Sequence, residues 1–140
     1  MKSFKLLIAV AAISMVGFGC AKQNTKKEAK ADKLQSIYFD FDKSDIKSGS
    51  EAGLKSNAAW INKNGKSQVQ VQGNCDERGT NEYNIALGDR RAKSAQKYLT
   101  NLGVGKDRLS TVSYGEEKPV CTEHNESCWT KNRRDDFVSK

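Results

Sequence analysis

The sequence predicts an α/β (α+β) two-layer sandwich in the order β-α-β-α-β-β, one sheet covered on a single face by two helices. Three observations predict it. Residues 37–42 and 68–73 alternate apolar with polar side chains, the period of a strand with one buried face, and residues 109–114 and 133–138 read as two further strands. Between the first three strands lie two runs at helical spacing, Leu54, Ala58 and Ile61, then Ile85, Ala92, Ala95, Leu99 and Leu102. Finally, 140 residues suffice for one domain with a sizeable core and not for two.

The elements follow in order. In the first strand Ile37, Phe39 and Phe41 alternate with Tyr38, Asp40 and Asp42, leaving Phe41 as core or rim and Asp42 as a turn residue or helix cap at the strand's exit. Ser48, Ser50 and Glu51 offer a helix start, and Asn64 with Gly65 a stop. Trp60 belongs to the core or its edge. In the second strand Gln residues alternate with Val and face away from the core. The second helix runs over 81–102 and closes at Gly103. Asp135 and Asp136 interrupt the last strand where apolar residues are expected, which predicts an edge position for it.

The stretch 72–91, QGNCDERGTNEYNIALGDRR, carries the chemistry. It leaves a strand, turns through Asp76, Glu77, Arg78 and Gly79, and enters a helix on which Thr80, Asn84, Leu87 and Arg91 share a face distinct from the core face. A loop carboxylate, Asp76, and a helix guanidinium, Arg91, are thereby offered to one cleft. They suit a molecule with an ammonium at one point and a carboxylate at another, since the planar guanidinium donates two parallel hydrogen bonds. The same spacing is equally that of an Asp76–Arg91 ion pair pinning the loop to the helix.

The N-terminus reads as an export signal. Lys2 and Lys5 precede 14 apolar or small residues, 6–19, too short a run to cross a bilayer comfortably, and Cys20 follows Gly19. That junction looks like a lipobox with Gly17 where Leu is usual, so lipidation of Cys20 and ordinary cleavage both remain readings. Residues 1–19 are then a lipoprotein signal peptide, 20–34 the cysteine and a flexible tether, and 35–140 the domain. Residues 21–33 are nearly devoid of apolar side chains and cannot offset the entropy of ordering. They span roughly 20 Å as a coil and ~45 Å at full stretch. Without Lys2 and Lys5 the chain still has 22 basic against 17 acidic residues. In an exported protein this argues for an anionic envelope surface and against nucleic acid.

Cys121 and Cys128 bracket a polar loop and form the natural disulfide, leaving Cys75 single. The sharper alternative is zinc, from Cys121, His124 and Cys128 with Cys75 as fourth ligand, although zinc ligands normally come as two tight pairs. No metal or other cofactor is expected. Asp76 beside Glu77 raises the alternative of a glycosidase, which needs two carboxylates across a sugar bond. Adjacent residues point apart, and Arg78 and Arg91 nearby depress a carboxylate pKa, the wrong direction for a general acid.

GNCDERGTNEYNIALGDRRA resembles the peptidoglycan-binding core of the OmpA-like domain family, in particular its peptidoglycan-associated lipoprotein branch. YFDFDKSDI at 38–46, SYGEEKP at 113–119 and KNRR at 131–134 extend the likeness from about Ile37 to Val138. The resemblance implies a mixed sheet with both helices on one face, and no catalysis. It names the zwitterion as the diaminopimelate of the peptidoglycan stem peptide. It also implies a pocket of Phe41, Asp42, Asn74, Cys75, Asp76, Thr80, Leu87 and Arg91, with Asp76 on the ammonium and Arg91 on the carboxylate. Asn74 stands where some relatives have His, and Cys75 where Ala or Thr is usual. Ala21 fits delivery of a Cys20-anchored chain to the outer membrane, the domain facing the periplasm. Partners implied are peptidoglycan, that membrane, and Tol-system proteins such as TolB.

Overall fold

The computed structural model describes residues 33–140. The signal segment, Cys20 and the tether up to residue 32 lie outside them. The elements are β1 (Ile37–Tyr38), α1 (Ser48–Lys63), β2 (Val69–Asn74), α2 (Asn81–Asn101), a 3-10 turn (Lys106–Arg108), β3 (Leu109–Gly115), α3 (Glu126–Asn132) and β4 (Arg134–Ser139). They form one mixed sheet in the order β1-β4-β2-β3, with β2 and β3 parallel and β4 antiparallel to both its neighbours. The expected α+β sandwich is observed.

Helix α1 forms because Leu54, Ala58 and Ile61 fall on one face, all buried. Its serines do not cap it. The Ser50 hydroxyl instead donates to the Tyr38 carbonyl at 2.8 Å and accepts from the Tyr38 amide at 3.3 Å, stitching α1 to β1. Arg108 closes the far end by donating to the Ile61, Asn64 and Ser67 carbonyls at 2.9, 2.7 and 2.8 Å. Helix α2 is capped by Thr80, whose hydroxyl accepts from the Tyr83 amide at 3.1 Å, and ends at Leu102 before Gly103 at φ +94°. Leu102, expected on the buried face, is exposed because it lies past the last helical turn.

Two glycines set the height of α2 above the sheet. A Cβ on Gly73 would stand 1.9 Å from the Gly88 carbonyl oxygen, and one on Gly88 2.2 Å from the Ser113 hydroxyl. Backbone therefore rests on backbone at the end of β2, which carries Leu87 and Arg91 down to the strand's tip.

Two expectations fail. The last strand is not an edge but lies between β1 and β2. Its pattern explains how: Asp135 and Phe137 are buried against the core side, while Arg134 and Asp136 share the other face and pair at 2.8 Å. Asp135 is wholly buried opposite Gly73, and neither carboxyl oxygen has a hydrogen-bond partner among the described residues. Burial raises its pKa well above the ordinary range, against the pull of Arg91, and so disfavours the charged form. Second, the loop expected between the last two strands contains α3, capped by the Asn125 side chain, which accepts from the Cys128 amide at 3.0 Å. Cys121 and Cys128 are disulfide-bonded with Cα atoms 5.3 Å apart. Closing so short a loop stabilises the fold by about 2.5 kcal/mol in the chain-entropy view.

Gly73→Ala is expected to cost roughly 1–3 kcal/mol or more, because both clashing groups are backbone; urea denaturation measures it. Asp135 binds its proton more tightly folded than unfolded. Its contribution is therefore complete below the ordinary carboxylate pKa and is lost as pH rises above it. Asp135→Asn should gain stability relative to the parent as pH goes from about 4 to about 8, which thermal melts across that interval will register.

Candidate functional site

At the carboxyl end of β2 lies a cleft of about 220 Å³. The loop after β1 contributes Phe41 and Asp42, the β2–α2 loop Cys75, Asp76, Arg78 and Gly79, and α2 contributes Tyr83, Asn84, Leu87 and Arg91.

Arg91 forms its floor. The side chain is fully buried, and its guanidinium donates to the carbonyls of Lys43 at 2.8 Å, Asn74 at 2.9 Å and Asp40 at 3.1 Å. It thereby clamps the β1–α1 loop against the tip of β2. Among the described residues no carboxylate forms a salt bridge with it, although Asp135 and Asp76 lie near enough to act on its charge.

Asp76 is buried in the adjoining wall and does not pair with Arg91. Its Oδ1 accepts from the Arg78 amide at 3.0 Å and Arg78 Nε at 3.1 Å; its Oδ2 accepts from Arg78 Nη2 at 2.7 Å and Arg133 Nη1 at 3.2 Å. Burial opposes ionisation here, but the bonds from Arg78 and Arg133 outweigh it and hold the carboxyl below its usual pKa. All four acceptor positions are filled. Arg133 is itself buried, with Nη2 2.6 Å from Glu126 on α3 and Nε on the Phe39 carbonyl. Arg78 packs on two rings, its Cζ 3.9 Å from the centroid of Phe41 and 4.2 Å from that of Trp129. Phe41 is 54% exposed at the rim. Across the mouth, Asp42, at φ +55°, accepts a hydrogen bond from the Tyr83 hydroxyl.

Of the eight residues expected to form the pocket, six line this cleft: Phe41, Asp42, Cys75, Asp76, Leu87 and Arg91. Thr80 instead caps α2, and Asn74 is buried beside β2 with its side-chain amide donating to the Gln72 carbonyl. Cys75 is buried with its Sγ 3.3 Å from the Asn84 carbonyl, and burial pushes the thiol up to about 11, so it is an inert packing group. Asn84, on the helix face expected to meet the cleft, and Arg78 of the loop line it too, whereas Tyr83 does so without having been singled out. Arg133 and Trp129, more than fifty residues along the chain from Asp76 and Glu77, had no local spacing to reveal them.

Glu77 points outward. It accepts from Trp129 Nε1 at 2.7 Å and lies 2.7 Å from His124 Nδ1; the Trp129 bond, then His124, draws its pKa down. Two of the three thiols invoked for zinc, Cys121 and Cys128, are joined to each other.

The sheet order and this arginine-lined cleft define an OmpA-like domain. The chain belongs to the OmpA family, whose profile matches residues 38–133. It is 40% identical over 122 residues to the peptidoglycan-associated lipoprotein of Mesorhizobium japonicum, covering 87% of this chain and 73% of the relative. To that of Haemophilus influenzae it is 49% identical over 102 residues, covering 73% and 67%. The crystal structure of the peptidoglycan-associated lipoprotein from Burkholderia pseudomallei superposes with a TM-score of 0.75 at 39% identity, covering 82% of this chain and 98% of that one.

Arg91→Met keeps the bulk and removes every donor, leaving three carbonyls unsatisfied. A loss of at least about 3 kcal/mol is expected, with hydrogen exchange rising in residues 40–43 ahead of the rest of the domain.

Proposed function

We propose that this chain is a non-catalytic lipoprotein of the outer membrane that binds peptidoglycan non-covalently, tethering membrane to wall through the diaminopimelate of the stem peptide. The observation that carries the reading is the cleft in which Asp76, its pKa lowered, and Arg91, without a carboxylate salt-bridge partner among the described residues, occur together beside an exposed aromatic rim. A zwitterionic tip is complementary to it: the ammonium goes to Asp76, and the carboxylate is drawn by Arg91, whose buried charge is weakly screened. Leu87 and the Phe41 ring pack against the methylene chain between. The names of the relatives, peptidoglycan-associated lipoproteins, support the ligand and the lipid anchor. We place that anchor on Cys20, behind a cleaved 1–19 segment, with the domain in the periplasm. Tol-system partners such as TolB, and a part in envelope integrity and cell division, extend the proposal from the resemblance alone.

Hydrolysis is the weaker reading. Asp76 and Glu77 both have lowered pKa values, opposite to the raised value a general acid needs at neutral pH.

Co-sedimentation with purified sacculi tests the proposal. The parent protein should pellet and be released by free meso-diaminopimelate, whereas Asp76→Ala and Arg91→Ala, each checked for folding, should stay in the supernatant. Retention of either variant on the wall refutes the assignment.

A further inference from the structure

The segment from Glu116 to Asn132 stands outside the hydrophobic core, since none of its side chains belongs to the apolar cluster that α1, α2 and the sheet enclose. Helix α3 within it has seven residues, too few to be stable by itself, and buries only Cys128 and Asn132. Two ties hold the segment closed. The Asn132 side chain accepts from the Val120 and Cys121 amides and donates to the Cys121 carbonyl at 2.7 Å, and the Cys121–Cys128 bond joins the start of the loop to the helix. Yet α3 carries the outer supports of the β2–α2 loop. Trp129 donates to Glu77 at 2.7 Å and packs on Arg78, while Glu126 lies 3.7 Å from Arg78 and 2.6 Å from Arg133.

The disulfide is also reachable. Cys121, with Glu77, Glu116 and His124, lines a second cavity of about 260 Å³. Cys121 is partly exposed and Cys128 fully buried, so an incoming thiolate meets Cys121 Sγ first. Cys75 borders the same cavity, but its Sγ is buried and engaged with the Asn84 carbonyl, which leaves the second step of an exchange to the incoming molecule. We propose that Cys121–Cys128 is a reducible latch: a dithiol attacks Cys121 Sγ through this cavity, and reduction frees α3 from the β2–α2 loop while the core stays folded. One thiolate of the dithiol bonds to Cys121 Sγ as the Cys121–Cys128 bond breaks, and the electron pair leaves on Cys128 Sγ, which takes up a proton. The second thiol, deprotonated, then displaces Cys121, which is protonated in its turn. Two electrons and two protons pass to the protein, and the dithiol ends as a disulfide. Arg78 and Glu77 lose Trp129 and Glu126, and Arg133 loses Glu126, so the oxidised form is the one that holds the loop for wall binding. That last consequence rests on the function proposed above; the unlatching does not.

The test uses the full chain with Cys20→Ser, which removes the thiol outside the domain. Brief treatment with 2-mercaptoethanol, a monothiol, followed by peptide mass spectrometry should find the mixed disulfide on Cys121 and a free thiol on Cys128; an adduct on Cys128, or none in the folded protein, overturns the inference. After full reduction with dithiothreitol, hydrogen exchange should rise roughly 10- to 100-fold in residues 120–132, as the loop-closure constraint is lost. Residues 76–79 should follow, with β2 and α2 unchanged and a cooperative thermal melt retained. Co-sedimentation with sacculi should weaken by at least about fivefold, and reoxidation should restore both readouts. Cys121→Ser combined with Cys128→Ala should behave as the reduced parent, which separates the latch from any effect of the reductant. Protection that reduction leaves unchanged in 120–132 and 76–79 overturns the inference, as does collapse of the whole domain, the mark of a merely structural staple. Exchange that rises while wall binding holds overturns the link to the wall. An oxidised parent that binds no sacculi removes the proposed function instead, and the exchange data still decide the latch.

Discussion

A single buried guanidinium holds the working end of this domain together. The loop leaving β1 and the tip of β2 come from chain segments some thirty residues apart, and neither has a hydrogen-bonded ladder to the other there. Arg91 supplies the missing bonds, reaching three carbonyls at once. Such a group is costly to desolvate, and burial lowers its pKa, yet a guanidinium retains its proton. The domain thus keeps a buried positive charge under its cleft, at a place that the close Gly73–Gly88 contact lets α2 reach.

Around this fixed point the charges are arranged as a relay between elements. Asp76 receives Arg78 from its own loop and Arg133 from the entry to β4; Arg133 in turn reaches Glu126 on α3. Trp129, three residues further along α3, covers Arg78 and bonds Glu77. The short helix stapled by Cys121–Cys128 therefore braces Arg78 and, through Arg133, Asp76 from behind the cleft, and the disulfide supports the site as well as the fold.

The sequence made the scaffold legible and the site only partly so. Period-two and helical runs are local signals, and they located α1, α2, β2 and β3 to within a residue or so. Asp76, Leu87 and Arg91 were visible because turn and helix spacing brought them to one cleft. What escaped depends on distant partners. Asp135 argued for an edge strand because an unpaired buried acid is rare, and nothing in residues 133–138 announces that the interior will enclose it. Helix α3 was hidden because its seven residues have no apolar stripe, only a cap and a disulfide. Arg78 and Asp76 were both noticed, but that they would saturate one another, with Arg133 completing the set, follows from β4 crossing between β1 and β2 and not from any local pattern.

β1 is only two residues long, pairs with β4, and leads within three residues into Phe41 and Asp42. Tension applied between the N-terminal side of the chain and a molecule seated in the cleft would thus enter and leave through almost the same stretch of backbone. The force would be borne by the Arg91 clasp and the β1–β4 rungs, while the helices and the hydrophobic interior stayed unloaded. A domain wired in this way resists pulling in proportion to a handful of polar bonds near its grip, and should yield locally long before it unravels.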